Sequence, residues 1–255
     1  MTELYTLHRA DDEIGPLIVL ENKEIRMLSF GDNDEQSKLL KATPHIPQHT
    51  YLQAMLLVLL FIKPKRVIIL GLGGGGLIHA LRQFDTGIKV TAVELRASVI
   101  EIAKRFFQLP IGKKLSLVHQ DAAHFLEEKD HKKADVIFAD IYGADGVDES
   151  QLSDSFISNA SMMLKSDGYL VLNCWKEHSQ NRELLSLLQA HFAEVRACLT
   201  GGGKLGGDCG EGDARYFCER IENQCTTVIA KTRLSIGAQP NAFRYLAIAH
   251  PAFLV

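Results

Sequence analysis

The residues that could do chemistry all fall at the ends of short apolar runs. Gly71, Gly73, Gly74, Gly75 and Gly76 follow Val67-Ile68-Ile69-Leu70, and Glu94 closes Val90-Thr91-Ala92-Val93. Asp121-Ala122 comes just after Leu115–His119, and Asp140-Ile141-Tyr142 follows Val136-Ile137-Phe138-Ala139. An apolar β-branched run, a glycine turn and then the helical pattern of Leu77–Phe84 open a nucleotide-binding βαβ unit. Glycines let the chain turn tightly and let a ligand approach the backbone, so the N–H groups of Gly73 and Gly75 are expected to meet the polar tail of a bound nucleoside. An acid at the end of the next strand accepts ribose hydroxyls, the role expected of Glu94. Asp121 suits an exocyclic amino group of adenine, or simply the N-cap of the helix after it. Asp140 lies where a reacting carbon is expected. A carboxylate there can orient an incoming amine and take its proton, which needs hydrogen-bond reach more than an unusual pKa. Its bland alternative is to cap a turn. Tyr142 is expected to help handle the acceptor.

To bring these ends together, the chain must alternate strands and helices. Strands are expected at Val67–Leu70, Val90–Glu94, Leu115–His119, Val136–Ala139, Tyr169–Cys174, Glu194–Leu199 and Thr226–Lys231. Helices are expected at Ala97–Phe107, Ala122–Glu128, Leu152–Leu164 and Arg182–His191, with a turn at Asp167-Gly168. This alternation predicts an α/β fold with a doubly wound, mostly parallel seven-stranded sheet of Rossmann-like type. Ligands then bind beyond the C-terminal ends of the strands, where the strand order reverses. Residues 1–45 are expected to form a small β element, a hairpin of Leu17–Leu20 and Ile25–Phe30, with 46–255 as the Rossmann-like domain. Tyr51–Phe61 is an apolar helix that belongs to the core or, in the sharper reading, shares a homodimer interface. In 201–213 seven of thirteen residues are glycine, which suits a flexible connection better than a substrate lid.

With 255 residues the chain can bury one large α/β core. A net charge of −3 argues against general nucleic-acid binding. Cys174, Cys198, Cys209, Cys218 and Cys225 are odd in number, and their spacing is unlike that of zinc ligands, so reduced thiols and no metal are expected. The start carries no basic, apolar leader, and Met55–Ile62 is too short an apolar run to span a bilayer. A cytoplasmic protein with no membrane or nucleic-acid partner is expected.

From about Gln48 to Val195 the chain resembles the spermidine synthase-like branch of the adenosylmethionine-dependent methyltransferase fold. Its glycine run is similar to the family's G-G-G-D-G-G, Val93-Glu94 to its V-E-I-D, Gln120-Asp121-Ala122 to its G-D-[AG], and Gln53–Met55 to part of its Y-Q-E-M. Asp140 falls at the first acid of the family's D-x-x-D-P. The resemblance implies a class I methyltransferase-like sheet and a transferase whose donor is S-adenosylmethionine or its decarboxylated form. It also implies that Glu94 holds ribose, that Asp121 and Ala122 hold adenine, that Gln53 lies with the donor and that Asp140 accepts the proton. Three departures stand out: Gly74 replaces the acid of the glycine motif, Gly143 replaces the second acid of D-x-x-D-P, and Leu52 stands where the tyrosine of Y-Q-E-M belongs, next to Tyr51. The family uses the two missing acids to hold cationic ends of donor and polyamine, and Asp145, Asp148 and Glu149 are the nearest substitutes. Gly74 cannot repel the carboxylate of intact S-adenosylmethionine, so methyl transfer to a small acceptor is the leading expectation. Aminopropyl transfer from the decarboxylated donor to an amine is the alternative, and a non-catalytic nucleoside-binding protein is a third reading. A dehydrogenase reading of Gly71, Gly73 and Gly76 lacks any downstream group for hydride chemistry.

Overall fold

A computed structural model describes residues 3–31, 35–143, 146–175, 181–199 and 225–232, so the expected loop at 201–213 lies outside the described residues. The chain opens with a four-stranded antiparallel sheet in sequential order, β1 (Tyr5–Asp12), β2 (Gly15–Glu21), β3 (Ile25–Ser29) and β4 (Glu35–Leu40). The hairpin of β2 and β3 matches the expected one. The flanking strands β1 and β4 have too few apolar residues to stand out in sequence, and their side chains are mostly half-buried or exposed. They form because a lone hairpin leaves its edges unpaired and has too little apolar face to be stable. Leu17, Val19, Leu28 and Leu39 of this sheet are buried against Val99, Ile102 and Phe107.

The remaining elements are α1 (Thr50–Leu56, running on as a 3-10 turn through Leu60), β5 (Arg66–Leu70), α2 (Gly76–Phe84), β6 (Lys89–Glu94), α3 (Ala97–Phe106), β7 (Leu115–His119), α4 (Ala122–Glu127), β8 (Ala134–Ala139), the two-residue strands β9 (Tyr142–Gly143) and β10 (Gly146–Val147), α5 (Asp154–Met163), β11 (Leu164–Trp175), α6 (Arg182–His191), β12 (Glu194–Leu199) and β13 (Cys225–Lys231). Seven of these strands form one sheet in the order β12-β13-β11-β8-β5-β6-β7, with β13 antiparallel to both neighbours. Strand β5, which leads into the glycine turn, pairs in parallel with β6 on one side and β8 on the other. Strand order therefore reverses between β5 and β8, which opens the crevice beyond their C-terminal ends.

Side chains alternate along each strand to fill two layers. Val67, Ile69, Val136 and Phe138 pack with Met55 of α1 and Leu81 of α2. Ile68, Leu70, Ile137 and Ala139 pack with Phe125 of α4 and Phe156 of α5. Helix α1 is thus a core helix, with Leu52, Ala54 and Met55 buried. Asp167-Gly168 is not a turn between elements. Pairing passes from Leu164↔Ala134 to Tyr169↔Val136, so β11 carries three more residues than β8 across that step (five positions against two) and absorbs them as a bulge.

Candidate functional site

The glycine turn is held from three sides. Gly71 has φ +92°, a backbone region that favours glycine, and a Cβ there would lie 2.1 Å from the Asp140 carbonyl oxygen. Its N–H donates to Val93 O at 2.8 Å, while Asp140 N–H donates to Leu70 O at 2.8 Å. The ends of β5, β6 and β8 are therefore in direct contact, and only glycine fits at their meeting point.

Glu94 sits beneath the turn. Its Oε2 accepts from Leu72 N–H at 2.9 Å and its Oε1 from Arg96 N–H at 2.9 Å. Burial pushes the carboxyl above its ordinary range, against the pull of N–H groups from Arg96, Leu72 and Gly73. The acid expected to hold ribose is thus also a clamp on the turn, which the sequence reading did not foresee. The turn's own donors differ from expectation as well. Gly73 N–H faces Glu94, and Gly75 N–H donates to Leu72 O at 2.9 Å, so both meet partners within the chain instead of an open crevice. Gly74 N–H donates to Ser37 Oγ at 2.8 Å, and a Cβ at Gly74 would come 2.7 Å from Phe107 Cδ1. Strand β4 leans directly on the turn, a long-range contact that no local pattern announces.

Asp121 caps α4, accepting from His124 N–H at 2.9 Å, and Ala122 begins that helix half-buried against the core. Gln53 is exposed and donates from Nε2 to Pro47 O at 3.0 Å. That differs from the expected place of Gln53 beside the donor. Residues two apart on a helix point in nearly opposite directions, and it is Tyr51 of α1 that reaches the crevice. Tyr142 is half-buried on β9, just past Asp140. Of the candidate substitute acids, Asp148 caps Ser150 N–H at 2.8 Å, while Asp145 and the Glu149 side chain lie outside the described residues.

Asp140 follows β8 directly and is half-buried at the strand's end. Asn173 Nδ2 donates to Asp140 Oδ1 at 2.8 Å, and the Tyr51 side chain hydrogen-bonds the same carboxyl group. Burial pushes Asp140 up to about 6, with the bonds to Asn173 and Tyr51 pulling the other way. Behind it lies a polar layer. Gln151 is fully buried and donates from Nε2 to Asn173 O at 3.3 Å, and Thr227 pairs directly opposite Asn173 across β11 and β13. Tyr51 and Asn173 were absent from the expected set. Asn173 carries a signal that could have found it, a carboxamide closing the apolar run Tyr169–Leu172. The arrangement offers a half-buried carboxylate with a raised proton affinity beside a nucleotide-type turn, which suits proton acceptance at a nucleophile.

The spermine/spermidine synthase domain profile matches residues 45–200. Among curated proteins, the chain is 28% identical over 186 residues to a polyamine aminopropyltransferase of Neisseria meningitidis, covering 70% of each chain. Among solved structures, a probable spermidine synthase from Corynebacterium glutamicum superposes with a TM-score of 0.69 at 14% identity, covering 91% of this chain and 81% of that one. Human methyltransferase-like protein 13, solved with SAH, has a TM-score of 0.53 at 17% identity, covering 75% of this chain and 83% of that one. Both structural likenesses show the fold: a methyltransferase-type sheet preceded, in this chain, by a small antiparallel one.

Proposed function

Since the chain belongs to the spermine/spermidine synthase family and is a transferase, we propose that it moves an aminopropyl group from decarboxylated S-adenosylmethionine to a small amine. The reaction forms a bond from the amine nitrogen to the propyl carbon beside the sulfonium and breaks that carbon's bond to sulfur. Methylthioadenosine leaves, and Asp140 takes the proton released from nitrogen. Glu94 holds the ribose, Asp121 and Ala122 border the adenine, and Tyr142 borders the acceptor.

The half-buried carboxyl of Asp140, bonded by Asn173 and Tyr51 beside the glycine turn, is the observation that carries this reading. With a pKa raised to about 6 it is ionised at neutral pH, yet far more basic than an exposed aspartate. The name of the Neisseria relative supports the same chemistry. Methyl transfer, the leading expectation from sequence, gives way here. It rested on Gly74 having no side chain to repel the donor's carboxylate; in the structure Phe107 and Ser37 crowd Gly74, and its N–H is already bonded to Ser37.

Calorimetric titration with S-adenosylmethionine, its decarboxylated form and methylthioadenosine, followed by an assay of methylthioadenosine release with putrescine, tests the reading. Tighter binding of the decarboxylated donor, with release that depends on the amine, is expected. Tighter binding of the intact donor and a methylated product would restore methyl transfer.

A further inference from the structure

Asn173 stands out as a residue that folding alone does not explain. It lies on β11 between the buried residues Leu172 and Cys174 and is itself 1% exposed. Its Nδ2 is used on Asp140, but its Oδ1 is buried with no hydrogen-bond partner among the described residues. The hydroxyl of Thr227, opposite it, is in the same condition. Buried polar atoms left unpaired cost stability, and an apolar side chain would avoid that cost.

What the amide does accomplish is geometric. Strands β8 and β11 pair in parallel with Leu172 beside Ala139, so the register brings Asn173 alongside Asp140. Gln151 ties the two strand ends together, donating to Asn173 O at 3.3 Å and to Ile141 O at 3.5 Å. The amide therefore meets the carboxylate from a fixed strand, while Tyr51 meets it from α1.

We propose that Asn173 is a positioning residue for the transfer: it pins Asp140 Oδ1 from β11 and so orients the carboxylate toward the proton of the attacking amine. This rests on Asp140 being the base. The titratable groups on neighbouring elements are engaged elsewhere or uncharged. Glu94 at the end of β6 is bonded to the turn, and Asp148 is exposed and caps Ser150. His49, stacked on Tyr51 at 5.4 Å, is pushed toward its uncharged form by burial. Burial raises the proton affinity of Asp140, and the bonds from Asn173 and Tyr51 lower it.

Asn173→Leu removes the donor, and Asn173→Asp replaces it isosterically with a second carboxyl. Two measurements read the result: the carbon-13 NMR titration of Asp140, assigned against Asp140→Asn, and kcat and KM for putrescine across pH with the decarboxylated donor. The Asp140 midpoint should rise in Asn173→Leu and rise further in Asn173→Asp, where two carboxyls share a proton. At neutral pH kcat should fall about ten- to a hundredfold, while methylthioadenosine affinity stays unchanged. A purely structural role would move neither the midpoint nor the acidic limb of kcat. If Asn173→Leu does not fold, the isosteric variant decides. Wild-type turnover with an unmoved midpoint, or an unmoved kcat, in the variants overturns the role of Asn173 alone. A wild-type protein that transfers nothing to any amine overturns the functional reading and this role with it.

Discussion

Glu94 and Asp140 flank β5, at the ends of β6 and β8, and burial raises the proton affinity of both. They differ in what holds them. Glu94 is held by backbone N–H groups from its own strand end and the adjoining turn. Asp140 is held by side chains of β11 and α1, with unpaired buried oxygens nearby. Backbone donors come with the local fold, at little further cost. Side-chain donors must be brought in from distant elements, and their leftover polar atoms cost stability. The Glu94 side of the crevice is therefore held by the fold's own backbone bonding, and the Asp140 side by side chains that the fold brings together.

The largest effect should come from Asp140→Asn. An amide cannot accept the proton, so turnover should fall by about 10²–10⁴ with methylthioadenosine affinity retained. In the wild type, kcat/KM should decline on the acid side with a midpoint near the carboxyl's value of about 6. Stability should move the other way. The folded-state pKa is raised from 3.8 to about 6, so ionising Asp140 destabilises the fold as pH rises through that window. The variant should then melt higher than the wild type above pH 6, its unfolding free energy larger by on the order of 3 kcal/mol at most, and match it near pH 4. Full activity in the variant, or a lower melting temperature above pH 6, would contradict the role drawn for this side of the crevice.

Gly71→Ala probes the contact between the two sides. Its Cβ would meet the Asp140 carbonyl at 2.1 Å in a backbone region unfavourable for alanine. A loss on the order of 2–4 kcal/mol in denaturant unfolding is expected, with turnover falling because Asp140 is displaced. Near-wild-type stability would mean the strand ends can separate freely.

Glu94→Gln should hit binding and folding together, unlike Asp140→Asn. Nucleoside affinity should weaken by about 1–3 kcal/mol, and stability by at most roughly 1 kcal/mol, because one turn N–H loses its acceptor while the cost of burying the charge is relieved. Calorimetry and thermal unfolding on the same sample check both. Loss of affinity with no loss of stability would make Glu94 a binding group only.

The smallest effect is expected at Asp121. Asp121→Ala removes the cap of α4 and should cost about 1 kcal/mol of stability. A parallel loss of methylthioadenosine affinity would confirm its adenine role, whereas stability loss alone would leave it a cap.

Much of this protein could be read directly from local pattern. Apolar runs with their glycine and acidic ends located the strands β5 to β8, and Leu115–His119, Arg182–His191 and Glu194–Leu199 are bounded as expected. Those signals are local: buried strands are apolar, and chemistry at strand ends needs specific side chains at adjacent positions. Asp140 and Glu94 belong to that class. Strands β1 and β4 do not, because their pairing partners, not their own side chains, make them strands. Nor do the closure of Gly74 by Ser37 and Phe107, the turning away of Gln53, or the assembly of Tyr51, Asn173, Gln151 and Thr227 around Asp140. Those groups are far apart along the chain, and only sheet register and helix rotation decide whether they meet. The sequence by itself determined which carboxylates stand at the strand ends; the tertiary structure alone decided what holds them, because the donors that set a buried carboxylate's proton affinity come from whichever elements the fold packs beside it.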